Sequence, residues 1–184
     1  MSPAEIAVRE RLLTAAIELI REHGPAGLTQ PRVAKAAGIS QSHLTYYFPT
    51  RAALLAAVLE RAAEGQLAGM KHAFATVGRG PGKLAAALGA ALEQPQNSRL
   101  LVSFALAADQ DSQVRAIFEG LARNMRAEIA AAVAKLDLPD DPQTVALIHT
   151  IGTGLAVLNL ALAGTSLQPK TAETIASLFK ILSK

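Results

Sequence analysis

Between Glu22 and Glu60 the chain carries no acidic residue, while Arg32, Lys35 and Arg51 are cationic and His23 and His43 can become so. A segment that approaches phosphates needs this local absence of repulsion more than it needs high overall charge. Inside it, after Gly38 and Ser40, the hydrogen-bonding side chains Gln41, Ser42, Thr45 and Tyr46 cluster together. In a major groove, Gln can bond an adenine edge and Ser or Thr can serve several bases. Thr29 and Ser40 read as helix N-caps, and the free N–H groups at those two helix starts also suit DNA phosphates.

Other chemistries find less support. Gly78 to Lys83 suggests a phosphate loop, but Val77 occupies the first glycine position, Leu84 replaces the required Ser/Thr, and no strand precedes it. His23, His43, His72 and His149 show no metal-ligand spacing, and Asp109 and Asp111 lack the glycine and distal glutamate of a calcium loop. There is no cysteine and no activated nucleophile pair. The expectation is a protein that is not an enzyme, with no cofactor, no metal and no catalytic residues.

The elements that must carry the polar cluster read at the helical period, because Ala and Leu dominate and β-branched alternation is missing. The predicted fold is all-α. A first helix spans about Ala4 to Glu22, with Ile6, Leu13, Ile17 and Ile20 on one stripe and His23-Gly24-Pro25 as its stop. Thr29 and Pro31 open a second helix, Ala37-Gly38-Ile39 makes a tight turn, and Ser40 caps a third through Phe48. Ala34 and Leu44 should pack these two helices together, which turns Gln41, Ser42, Thr45 and Tyr46 outward; Tyr47 and Phe48 should be partly core. A fourth helix runs from Arg51 to about Gln66. Further helices are expected from Leu84 to Glu93, from Ser98 to Leu136 with an interruption near Asp109-Gln110-Asp111-Ser112, and from about Thr171.

No charged residue occurs between Pro142 and Pro169, a length sufficient in principle to cross a bilayer. His149, Thr150, Thr153, Asn159 and three glycines within it argue instead for a buried or interfacial helix, and no membrane partner is expected. Ile148, Ile151, Leu155, Leu158 and Leu162 recur at coiled-coil steps, and Ile175, Leu178, Phe179 and Leu182 align on the last helix. These nine positions are the predicted dimer interface.

The stretch Leu28 to Leu55, with Leu13, Ala16 and Leu19 before it, resembles the N-terminal domain of the TetR family of transcriptional repressors. The resemblance lies in Gly24, Leu28-Thr29, Val33-Ala34, Ala37-Gly38-Ile39-Ser40, Leu44, Tyr46-Tyr47-Phe48, Arg51 and Leu54-Leu55, about a third of the chain. It implies that the third helix reads an operator, the fourth transmits a signal, and the C-terminal domain binds a small ligand and dimerises. Carried onto matching positions, it implicates Thr29, Gln30, Arg32, Ser40, Gln41, Ser42, His43, Thr45, Tyr46, Tyr47 and Arg51 in DNA contact. Ser42, Thr45 and Pro49 depart from the commonest pattern, where glycine, tyrosine and lysine are frequent. Since Pro49 supplies no charge, the phosphate anchor is expected to move to Thr50 and Arg51.

The 184 residues, 51% hydrophobic and 18% charged with net charge +3, suffice for one globular unit with two subdomains. The opening Met1-Ser-Pro-Ala-Glu has no apolar signal core, so a cytoplasmic location is expected. The expected organisation is a helix–turn–helix DNA-binding domain over 1–50, a connecting helix over 51–66 and a helical effector-binding and dimerisation domain over 67–184. Met70, Phe74, Phe104, Phe118, Met125, His149 and Asn159 are candidate effector-lining residues, and the few aromatics point toward an aliphatic, compact or neutral effector. The leading expectation is a ligand-responsive homodimeric repressor whose partners are double-stranded DNA and a small effector. The alternative is an all-α carrier for small apolar molecules, which would leave the polar cluster after Gly38 unexplained.

Overall fold

The computed structural model describes residues 2–24, 27–76, 80–136 and 138–183, and its regular structure there is helical throughout. In order come α1 (Pro3–His23), α2 (Gln30–Ala36), α3 (Gln41–Tyr47), α4 (Arg51–Thr76), α5 (Pro81–Leu92), α6 (Pro95–Gln110), α7 (Ser112–Ala134), α8 (Pro142–Ala161) and α9 (Thr171–Leu182). The helix between Ser98 and Leu136 is interrupted as expected. Asp111 stops α6 and restarts the chain, its Oδ1 accepting from the N–H groups of Gln113 at 2.8 Å and Val114 at 3.2 Å. Such a carboxylate satisfies donors that a helix start leaves orphaned.

The contacts group the chain into two compact units, Met1–Gly65 with Arg99–Phe118, and Gln66–Ser98 with Glu119–Lys184. The inclusion of residues 99–118 in the first unit differs from the expected organisation, which placed everything after residue 66 in the effector domain. One tie is visible at the end of α1, where Arg99 Nη1 donates to the Arg21 carbonyl at 2.7 Å. A cation there also complements the negative end of the helix dipole. Phe104 is fully buried and lies against Phe118, centroids 6.3 Å apart.

In the first unit the core is Leu12, Leu13, Ala16, Ile20, Leu28, Val33, Ala34, Leu44, Phe48, Leu54, Val58 and Leu59, all buried. Ala34 and Leu44 therefore pack as expected, and Phe48 is core. Ile6, assigned to the inner stripe, is instead 51% exposed, because the buried face of α1 starts only at Leu12. A capping box at Ser2 and Glu5 begins α1, and Gly24 ends it at φ 67°, a conformation that favours glycine. Pro25, expected to share in the stop, and Val77 to Arg79 of the expected loop lie outside the described residues.

The second unit has one continuous apolar core from α5, α7, α8 and α9. It takes up most of the residues expected at a dimer face. Ile148, Leu155, Ile175, Leu178 and Phe179 are buried within this single chain, and Ile151 and Leu182 pack against them. Along the three-and-four series of α8, Ile148, Ile151 and Leu155 turn toward the helix's own neighbours. Leu158 alone of the nine is exposed, at 46%. Helix α5 crosses α9 so closely that a Cβ on Gly89 would lie 2.9 Å from the Ala172 Cβ and 3.0 Å from its backbone.

Helix α8 is the one described helix long and apolar enough to cross a membrane, with a mean hydropathy of 1.6 over its most apolar window. Both of its faces are apolar. The inner one is filled by the core, whereas Leu147, Val157 and Leu158 stand exposed on the other, in line with exposed Thr150, Gly154 and Ala161.

Candidate nucleic-acid interface

Helices α2 and α3 meet at Gly38, whose φ of 68° lets the chain reverse within three residues. The Ile39 N–H then returns to the Ala34 carbonyl at 3.0 Å, closing the end of α2. Ser40 caps α3 by accepting from the His43 N–H at 3.2 Å, and its hydroxyl lies 3.0 Å from that of Ser42. With Leu44 fully buried as the anchor, Gln41, Ser42, His43 and Tyr46 face outward. Gln41, Ser42 and Tyr46 stand there as expected; His43 joins them, and Thr45 does not.

Thr45 is half-buried, and its Oγ1 donates to the carbonyls of Gln41 at 3.0 Å and Ser42 at 2.9 Å. Such back-bonding turns a threonine hydroxyl onto its own helix. Gln30 is likewise engaged by protein, its Nε2 donating to the Phe48 carbonyl at 3.1 Å. Both residues support α3 from within. Thr50 accepts from the Ala53 N–H at 3.0 Å and so caps α4. Thr29 occupies the N-cap position of α2 in extended geometry without a side-chain cap bond. Thr29, Arg32, Lys35, Thr50 and Arg51 are all exposed.

The aromatic end of α3 is a stacked group. Tyr47 is half-buried, with the His43 ring 5.3 Å away and Tyr46 edge-on at 5.2 Å. Desolvation raises the Tyr47 pKa, and the neighbouring Glu5 and Tyr46 charges push the same way, so the phenol stays a proton donor. Beneath, Arg9 stands over the Phe48 ring at 5.6 Å from its centroid.

Sequence reading missed Glu5. The acid-free run holds along the chain, but folding brings this carboxylate from the first turn of α1 to the exposed Tyr46, whose hydroxyl donates to Oε1 at 3.4 Å. Glu5 is held ionised chiefly by the Ser2 backbone N–H and then by its hydroxyl, both of which lower its pKa. No local pattern signals a contact made across forty-one positions. The capping box S-x-x-E, present at Ser2 to Glu5, would have located the carboxylate at a helix start but not beside α3.

The candidate effector residues do not form one set. Phe104 and Phe118 belong to the first unit and pack on each other there. Met70, Phe74, Met125 and His149 are half-buried in the second unit. Asn159 is buried, but its Nδ2 donates to Thr171 Oγ1 at 2.7 Å, and the Leu92 carbonyl lies at 3.4 Å. Its Nδ2 is thus partnered within the chain, whereas its buried Oδ1 has no partner among the described residues. A cleft of about 250 Å³ in the second unit is lined by Leu136, Leu138, Phe179 and Lys180 among others, and none of those candidates is in its lining.

Fold and site together define a helix–turn–helix protein with an all-helical second unit. Residues 12–58 match the family described as bacterial regulatory proteins, tetR family. The transcriptional regulator RutR of Escherichia coli K12 is 36% identical over 70 residues, which cover 38% of this chain. That match spans only 33% of the RutR length. Among solved structures, the multidrug binding protein EbrR complexed with proflavin is 27% identical, with TM-score 0.70, covering 95% of this chain and 99% of that one. A TetR-family member from Streptomyces coelicolor A3 is 26% identical, with TM-score 0.69 and coverage of 94% and 98%. A TetR regulator from Haloarcula marismortui shares the fold at TM-score 0.77 and 22% identity, covering 96% and 98%. The N-terminal helix–turn–helix segment of this chain is thus similar to that of the tetR family over residues 12–58.

Proposed function

We propose that this chain is a cytoplasmic, ligand-responsive, homodimeric DNA-binding repressor that reads a pseudo-palindromic operator, and that it is not an enzyme. The observation that carries the reading is the capped α3 with Gln41, Ser42, His43 and Tyr46 exposed on one short helix beside exposed Arg32, Lys35 and Arg51. In the proposed complex Gln41 and Ser42 meet base edges, Thr29, Arg32, Thr50 and Arg51 meet phosphates, and Gln30, Thr45 and Tyr47 hold α3 in position. The match to the tetR family over this domain supports the DNA role, and proflavin bound to the similar EbrR supports a small-molecule site.

A second copy supplies the dimer. It pairs through the outer face of α8, where Leu147, Val157 and Leu158 are exposed, about a two-fold axis. Each is only 39–46% exposed, so burying the remainder contributes about 1 kcal/mol apiece. An effector releases the operator by binding better to the conformation in which the two α3 helices no longer fit the groove spacing.

Duplex affinity measured against salt tests this reading. Phosphate contacts require log affinity to fall linearly with log salt, and Arg32→Gln should reduce the slope by about one. A chain with no duplex binding at low salt would be the carrier of the alternative reading.

A further inference from the structure

The outward face of α3 that begins with Gln41 and Ser42 ends at Tyr46, one helical turn beyond Ser42 and 69% exposed. A phenol can offer a nucleic acid either its proton or its oxygen. Here the proton already has a place. The Tyr46 hydroxyl donates to Glu5 Oε1 at 3.4 Å, while Glu5 Oε2 accepts from the Ser2 N–H at 2.6 Å and the Glu5 N–H donates to Ser2 Oγ at 3.3 Å. Both carboxylate oxygens are thus acceptors in use. The bonds from Ser2 favour the ionised carboxyl, which has no proton to give back to the phenol. Among the described residues no cation pairs with Glu5: Arg9, one turn along α1, stands over the Phe48 ring and 3.9 Å from Glu10.

The ring is held on a second side as well, edge-on to half-buried Tyr47 at 5.2 Å, which in turn meets the His43 ring at 5.3 Å. With its proton turned to Glu5, the Tyr46 oxygen shows only lone pairs to whatever approaches from outside. It can accept from a donor, but it cannot donate to a phosphate oxygen. In a major groove the available donors are exocyclic amines, N6 of adenine and N4 of cytosine. The ionised carboxylate alongside further disfavours a phosphate at this place.

We propose that Glu5 is a positioning residue that sets base specificity: by accepting the Tyr46 hydrogen bond it makes Tyr46 a reader of one adenine or cytosine amine in each half-site instead of a phosphate anchor. This rests on the DNA-binding reading above and assigns the polarity of one contact within it. Glu5 acts through Tyr46 and touches no base itself. The start of α1, forty-one positions away in sequence, thereby belongs to the readout.

The test is selection of bound duplexes from a random pool with the full chain, run in parallel on wild type, Glu5→Gln, Tyr46→Phe and Gln41→Ala. Glutamine is nearly isosteric and also serves in a capping box, so α1 keeps its start. Its single amide oxygen takes the shorter Ser2 contact, its NH2 then faces Tyr46 as a donor, and the phenol proton is freed for an acceptor such as guanine O6 or thymine O4. Wild type is expected to favour A or C over G or T about five- to tenfold at one position on one strand of each half-site. Tyr46→Phe should erase that preference, Glu5→Gln should erase it or turn it toward G or T at the same position with the rest of the consensus unchanged, and Gln41→Ala should leave it in place. A Glu5→Gln consensus identical to that of wild type, an effect at a different position from that of Tyr46→Phe, or a wild-type preference for G or T there overturns the proposal. If a consensus responds to Gln41→Ala but to neither Glu5→Gln nor Tyr46→Phe, the polarity assignment falls and the DNA reading stands. If no chain selects any consensus, both fall.

Discussion

Gln30 Nε2 donates to the Phe48 carbonyl at 3.1 Å, so the first turn of α2 holds the residue that closes α3. This bond, with Leu44 buried between the same helices, fixes the recognition helix from its C-terminal end while Ser40 fixes it from the other. Gln30→Ala should therefore act on stability and not on base preference. Losing the bond costs about 1 kcal/mol, a fall in Tm of about 2–4 °C. Thermal melting and operator competition on the same variant check both halves.

Asn159 and Thr171 form a buried polar pair between α8 and the first residue of α9. Asn159→Ala leaves the threonine hydroxyl and the Leu92 carbonyl without this donor, which should destabilise the chain by about 1–3 kcal/mol. Denaturant unfolding measures it, and wild-type stability in the variant would show that the pair contributes nothing.

The helical reading was legible because Ala/Leu periodicity, Pro at helix starts and Asp or Ser at caps are local signals, and Asp111, Asp141 and Ser40 all cap as such residues do. The recognition segment was legible for the same reason: Gly38 needs its positive φ, and Leu44 needs a core. What the sequence could not decide was which apolar stripe of α8 faces inward, since both are apolar and only the packing of α5 and α9 distinguishes Ile148 from Leu147. Nor could it show that Arg99 reaches the end of α1 or Glu5 reaches Tyr46, because each contact depends on elements distant along the chain.

That choice of stripe has a consequence for assembly. Leu147→Lys with Leu158→Lys puts two charges on the outer face of α8 and leaves the buried seam intact. Sedimentation should show the monomer while circular dichroism stays helical. A dimer that survives the double substitution would remove this face from the interface.

The pH dependence of stability has two windows. His149 has a lowered pKa in the folded chain, so the folded state binds protons less readily than the unfolded one. Its contribution is complete above its ordinary value near 6.5 and is lost as pH falls from there through the lower folded value. Glu5 and Asp141, also lowered, act only at more acid pH, below about 4.5. Melting curves from pH 8 to 5 should therefore show Tm declining below about 6.5, and His149→Gln should flatten that decline.

The central claim is that α3 reads base pairs, twice per dimer, through Gln41 and its neighbours. Selection of bound duplexes from a random pool tests it most directly. The account predicts a two-fold symmetric consensus with half-sites one helical turn apart, about 34–36 Å, or a multiple of it. Gln41→Ala should relax one position in each half by about 1–3 kcal/mol. A pool that yields no consensus, or one that Gln41→Ala leaves unchanged, would contradict it.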